Sequence, residues 1–324
     1  MPTSEATAGL TVLRPGLHTL VVDMGRPRCR SLGVPVGGAA DRFSLAVGNA
    51  LVGNPPEAAA LEVSLAGPTL RASGEVACVV YGAPFDLASD RQELTAGTTF
   101  TLRDGEELRV VGTARGARAY LCVSGGLQTP VVLGSRSALE PLRADDELPC
   151  LRGTTRGRFV RVERDWEAPH EAGGPVTLRA LDGAQAEWFD GAAFYGPTTF
   201  AVTPASNRMG LRLSGPALPV PGCELLSEPV CPGTVQVTRD GGCIVLGADG
   251  QTIGGYPKIA HVIAADLDAL GQLRPGDRVR FVRVTLDEAE RLYRRRGEVL
   301  REWLTRLRAA GPPLPYTSKW FRTS

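Results

Sequence analysis

Lysine is almost missing from this chain: Lys258 and Lys319 are its only two, against 34 arginines among 36 basic residues. Histidine is nearly as scarce, at His18, His170 and His261, and none stands near another or near acidic residues at ligand spacing, which argues against a metal site. The seven cysteines are odd in number and contain no C-x-x-C pair, so a disulfide framework or zinc site is not expected and a reducing cytoplasm fits. No apolar run is long enough to span a bilayer. Met1–Gly9 lacks the basic patch and apolar stretch of a secretory signal and reads as a disordered tail. A formal net charge of +1 argues against an electrostatic nucleic-acid surface. No G-x-G-x-x-G follows a strand, and no G-x-S-x-G elbow occurs. Gly250-Gln251-Thr252-Ile253-Gly254-Gly255 opens with P-loop spacing but continues Tyr256-Pro257-Lys258, which excludes a Walker A site.

What is abundant is glycine (39) and proline (25), punctuating short apolar runs rich in β-branched residues. Glu75–Tyr81, Leu108–Val111, Ala119–Val123 and Gly242–Leu246 each read as a strand, and the whole as a mostly-β chain of barrels or sandwiches. The length suggests two domains. Cys78, Cys122 and Cys243 fall inside such runs and are expected to be small core residues. Two helices are predicted. In Ala40–Val52, Phe43, Ala46, Val47, Ala50 and Leu51 share a face, with Asp41 as N-cap and Gly53-Asn54-Pro55 as the stop. In Leu286–Arg308 an apolar stripe includes Ala289, Leu292, Tyr293, Trp303 and Leu307, fit to pack on a domain or a partner. Pro312-Pro313-Leu314-Pro315 ends the chain as an extended tail.

Three collinear matches link the halves. Arg26-x-x-x-Arg30-x-x-Gly33 parallels Arg208-x-x-x-Arg212-x-x-Gly215, Cys78–Ala83 parallels Cys243–Ala248, and Arg103–Val111 parallels Arg274–Val282. A duplicated β-domain follows, with a linker near Arg164–Gly174 and a ligand cleft expected between the copies.

The chemistry converges on Lys258. A chain that uses arginine nearly everywhere retains a compact, flexible ammonium here, among glycines that permit close approach. Gln251, Thr252, the Gly254 and Gly255 amides, Tyr256 and Lys258 supply donors for a carboxylate, a carbamate, an amide carbonyl or a developing oxyanion. Asn207 and Arg208 add a second turn with a guanidinium fork. Gly33–Asp41 ends at a helix N-terminus whose free amides suit an anion. Ser135 and Arg136 lie in a further polar turn, for which a structural role is the stronger reading. His261, three residues after Lys258, reads as a strand residue with a satisfied ring.

Taken together, several segments resemble a known family. They include Asp23-Met24-Gly25-Arg26-Pro27, Gly33–Asp41, Asn49–Pro55, Ala60-Leu61-Glu62, Gly125-Gly126-Leu127, Gly134-Ser135-Arg136-Ser137, Ser206–Gly210 and Gly250–Lys258. In this order, over roughly residues 10 to 290, they resemble the biotin-dependent carboxyltransferase-like family. That family takes in 5-oxoprolinase subunits, allophanate hydrolase subunit 2 and the carboxyltransferase domain of urea amidolyase. The resemblance implies two tandem cyclophilin-like β-barrel domains at 10–163 and 175–290, with a C-terminal helix and tail at 291–324. The chain departs from the family at Cys29, near a usual aromatic, and at Gly37, near a usual serine.

The activity implied is ATP-dependent opening of 5-oxoproline to L-glutamate by a cytoplasmic, heteromeric hydrolase in which other 5-oxoprolinase subunits take part. ATP would serve the complex without a P-loop here. Lys258, Gln251 and Tyr256 would be catalytic. Asn207, Arg208, Thr252, Gly254, Gly255, Gly38, Asp41, Glu62, Arg26 and Ser135 would bind a small-molecule substrate, with Arg208 and Asn207 on its carboxylate. No metal, nucleic acid or membrane is expected. One rival is a carboxyltransferase that moves a carboxyl group from carboxybiotin, carried on another chain, to a urea-like or amide substrate. The other is a non-catalytic module that binds a regulatory partner.

Overall fold

The computed structural model describes residues 7–159, 174–222 and 225–309. They divide into two compact units. One comprises 7–25, 42–159 and 301–309, and the other Arg26–Asp41 and 174–300. The expected linker (except Gly174) and the proline-rich tail lie outside the described residues.

The first unit is built from β1 (Thr7–Arg14), β2 (His18–Val22), α1 (Arg42–Leu51), β3 (Ala60–Ser64), β4 (Thr69–Ser73), β5 (Val76–Gly82), β6 (Asp86–Ser89), β7 (Phe100–Leu102), β8 (Glu107–Gly112), β9 (Arg118–Val123) and β10 (Glu147–Leu151). The strands form two five-stranded sheets, β10-β1-β4-β8-β6 and β2-β3-β9-β5-β7. One apolar core, including Leu10, Leu70 and Leu108 from the first sheet and Leu61, Val80 and Leu121 from the second, joins them. β4 and β8 alternate between buried and exposed residues, as strands with one wet face must. Val76–Tyr81 of β5 and Ala119–Val123 of β9 are buried throughout because α1 covers their other face, where Gly48 approaches Tyr81 and Cys122. β1 begins at Thr7, so Thr7–Gly9 belong to a sheet and not to a terminal tail; Gly9 pairs with Pro149 and Ser73.

The second unit holds β11 (Val176–Asp182), α2 (Gly191–Phe194), β12 (Phe200–Val202), β13 (Gly210–Ser214), β14 (Glu228–Pro229), β15 (Thr234–Val237), β16 (Cys243–Leu246), β17 (Ile253–Gly254), β18 (Lys258–Val262), α3 (Leu267–Gln272) and β19 (Arg278–Arg283). Seven strands close a barrel in the order β11-β18-β15-β16-β13-β12-β19, and the parallel pair β11–β19 completes the ring. Phe194, Phe200 and Phe281 pack inside it, Phe194 stacking on Phe281 at 4.5 Å between centroids. β14 and β17 form a separate two-stranded ladder. α4 (Leu286–Ala309) extends from this unit, and residues from Arg301 onward count with the first.

Two of the three sequence repeats occupy matching structures. Cys78–Ala83 and Cys243–Ala248 each begin on a strand, β5 and β16. Arg103–Val111 and Arg274–Val282 each make a turn, closed by Arg103 N–H on Glu106 Oε2 and Arg274 N–H on Asp277 Oδ2, and then enter β8 and β19. The third match fails. Arg26–Gly33 is a 3-10 helix (Pro27–Leu32) ended by Gly33 at φ 77°, whereas Arg208–Gly215 runs into β13. Pro27 at the first helical position sets that turn and has no counterpart in the second copy.

Candidate functional site

The bulge between β15 and β18 decides where Lys258 points. Thr234 pairs with His261 and Val235 with Ala260, but the register then shifts and Gln236 pairs with Lys258. The extra residue lets both Ile259 and Ala260 face the barrel core and turns Lys258 onto the opposite face, beside Gln236. Val235 and Val237 also point into the core, so Thr234 and Gln236 share the outer face with Lys258 and His261.

The β14–β17 ladder lies against this face. Glu228 of β14 pairs with Gly254 of β17. Lys258 is 2% exposed, and its Nζ donates to Glu228 Oε2 at 2.5 Å. That bond holds the Glu228 carboxyl below its ordinary range. Gln185 ties in the backbone: its Oε1 accepts from Lys258 N–H at 3.1 Å, its own N–H donates to the Lys258 carbonyl, and its Nε2 reaches Glu228 Oε2 at 3.4 Å. An ammonium has three donors, and Glu228 is the side-chain partner of this one among the described residues.

Gly254 is where the polar groups converge. A Cβ placed there would stand 2.5 Å from Gln236 Nε2 and 2.8 Å from Gln251 Nε2. Gln251 and Gly254, both expected from sequence, therefore join Lys258 in one cluster. Glu228, Gln185 and Gln236 were not foreseen. Only Gln236 carried a signal, as a polar residue alternating with valines in Thr234-Val235-Gln236-Val237. Thr252 accepts Val230 N–H on its carbonyl, and Gly255 and Tyr256 are exposed on the turn before β18. His261 is satisfied as expected: its Nδ1 lies 3.1 Å from Thr234 Oγ1. Burial, and then the Lys258 charge, push its pKa down.

The other candidates each have partners within the protein. The Arg208 fork was expected to hold a substrate carboxylate. Instead it grips Asp249 (Nε–Oδ2 2.6 Å, Nη2–Oδ1 2.9 Å) and donates to the Gly38 carbonyl at 2.6 Å. Asn207 Oδ1 closes its own turn by accepting from Met209 and Gly210. Gly37 donates its N–H to the Ala248 carbonyl, so this amide of the expected anion loop is already used. Asp41 accepts from Gln272 Nε2 at 2.7 Å, and Arg26 is buried with its N–H on the Val36 carbonyl. In the first unit, Glu62 accepts from Tyr120 OH at 2.8 Å and pairs with Arg118 at 3.2 Å. Ser135 donates to Asp23 Oδ1 at 2.6 Å, joined there by Ser137 and by the Arg136 and Gly25 amides. Burial raises the Asp23 pKa, but these hydrogen bonds outweigh it and leave the carboxyl below 3.8.

A closed β-barrel with a buried ammonium on its outer face, under a short ladder, has known relatives. Residues 32–283 match the family described as carboxyltransferase domain, subdomain A and B, and the chain belongs to that family. Over 298 residues it is 35% identical to a 5-oxoprolinase subunit of Haemophilus influenzae, covering 89% of this chain and 94% of that protein. The crystal structure of TTHA0988 matches with a TM-score of 0.76 at 35% identity, covering 87% of this chain but 57% of that one. The urea amidolyase of K. lactis matches with a TM-score of 0.78 at 25% identity; this chain, 91% covered, spans 20% of its length.

Proposed function

We propose that this chain is the amide-binding subunit of a 5-oxoprolinase, acting with partner subunits to open 5-oxoproline to L-glutamate. The carrying observation is the buried Lys258 ammonium paired with the partly exposed Glu228 carboxylate on a face lined by carboxamides, in a chain so similar to a protein of that name. A lactam presents a carbonyl oxygen beside an N–H. The Lys258 ammonium suits the oxygen, where negative charge develops as the ring opens, and the Glu228 carboxylate suits the N–H. Fixed donors of this kind need no reorganisation as the charge grows.

ATP fits poorly at this face. The Asp249 and Gly250 amides are bonded to the Arg208 and Gly247 carbonyls, and the Glu228 carboxylate would oppose a polyphosphate. ATP is therefore assigned to another subunit, and no step here passes through it.

Lys258→Met is expected to lower 5-oxoproline-dependent ATP hydrolysis by the assembled complex about 100-fold or more. Complex formation should be unchanged. Full activity in that variant would refute the assignment. Lys258→Arg is also expected to fail, because the slot is closed to solvent and fits a point charge, not a fork.

The family match and the likeness to urea amidolyase favour a second reading, carboxyl transfer to a urea-like acceptor. The same donors would take the ureido carbonyl of a carboxybiotin carried on another chain. Carboxyl transfer from free carboxybiotin by the purified protein would decide for that reading.

A further inference from the structure

Gln236 is 1% exposed, yet its side-chain Nε2 has no hydrogen-bond partner among the described residues. Its neighbour on the same strand face shows that this is not the rule there. Thr234, equally buried, is held by His261 Nδ1 and by the Cys231 N–H. The Gln236 amide instead abuts Gly254 together with the Gln251 amide: a Cβ there would stand 2.5 and 2.8 Å from the two side-chain nitrogens. Lys258 lies opposite Gln236 in the ladder, and Glu228 lies opposite Gly254. An unpartnered donor on Gln236 thus lies across the ladder from an ammonium that holds a carboxylate acceptor.

We infer that Gln236 is a substrate-binding residue, whose side-chain N–H donates to the carbonyl oxygen of a small ligand in which a C=O adjoins an N–H: a lactam, amide or urea. The inference rests on the reading of Lys258 and Glu228 above and adds the group that fixes the carbonyl between them. Buried polar groups are nearly always paired, and a donor left unpaired across the ladder from the Lys258 ammonium finds its partner in the bound state.

Two variants test it. Gln236→Leu removes the donor at similar size, and Gln236→Glu replaces it with an acceptor. In the assembled complex both are expected to raise the KM for 5-oxoproline about tenfold, with kcat changed less. The melting temperature of Gln236→Leu should stay within about 2 °C of wild type or rise, since no internal hydrogen bond is lost. Ligand-observed NMR on the chain alone should show saturation transfer to 2-pyrrolidinone for wild type and none for Gln236→Leu. An unchanged KM, retained transfer in the variant, or a large fall in its melting temperature overturns the inference, the last by revealing a structural role. The two readings fail separately. A wild-type complex without 5-oxoproline-dependent ATP hydrolysis sinks the subunit assignment and leaves the NMR comparison to judge Gln236. A wild-type chain that shows no transfer to 2-pyrrolidinone sinks the role of Gln236 alone.

Discussion

Gly183 and Gly254 show how single atoms hold the site. A Cβ on Gly183 would collide with the Lys258 carbonyl and come within 2.8 Å of the Ala260 nitrogen. These are backbone atoms of a closed barrel and cannot swing aside. Gly183→Ala is therefore expected to destabilise the protein by about 2 kcal/mol, read in urea unfolding, and to displace Lys258. Gly254→Ala meets only side-chain amides, so it should leave stability nearly intact and abolish activity in the complex. Sequence made Lys258 visible because lysine is otherwise so rare. It could not make Glu228, Gln185 and Gln236 visible, because each comes from a separate segment and only ring closure and the β15–β18 bulge assemble them. The partner of Arg208 was hidden for a related reason: Asp249, which its guanidinium grips, stands 41 residues on.

Among elements, the two longest helices were legible, while α2, α3 and the anchors of the long helices were not. The apolar spacing of 40–52 and 286–308 matches α1 and α4 to within two residues at either end. Ala289 and Leu292 of α4 pack with Ile263 and Ala265, and Leu307 is buried, so much of the stripe expected to meet a domain or partner is used within the chain; Tyr293 remains exposed. The anchors are polar. Arg158 donates to the Leu51 carbonyl at the end of α1 (3.3 Å) and to the Leu307 carbonyl near the end of α4 (2.9 Å), serving acceptors that helix ends leave unpaired. Arg158→Ala is expected to cost about 1–3 kcal/mol and to fray the end of α4, visible as faster amide exchange there. Arg296 pairs with the mostly buried Asp268 of α3. Arg296→Met leaves that carboxylate without its cation, for an expected loss of about 3 kcal/mol in urea titration.

For the whole molecule, acid should act in two stages. His261 has a folded pKa below 6.5, so the unfolded chain takes its proton first as pH falls, and stability declines from about pH 6.5 down to the folded value. Asp23 has a folded pKa below 3.8; its contribution is complete above that value and is lost as pH falls through the folded pKa. Melting temperature followed from about pH 8 to about pH 3 should show both declines, and His261→Asn should remove only the first. Thiol chemistry offers a second global probe. Burial pushes Cys150 up to about 11 and Cys243 up to about 12, and raises Cys78 and Cys122 as well. These four should react with a disulfide reagent only as the protein unfolds, whereas exposed Cys231 should react at once.

The chain passes from one unit to the other after Gly25, back after Asp41, and twice more before it ends. A gene severed at any one point therefore frees neither half intact. A fragment beginning at residue 174 would lack the Gly38 carbonyl that Arg208 grips and the Asp41 carboxylate that Gln272 meets. Splitting this protein for expression, or shuffling its halves with those of a relative, requires carrying residues 26–41 along as a transplanted insert.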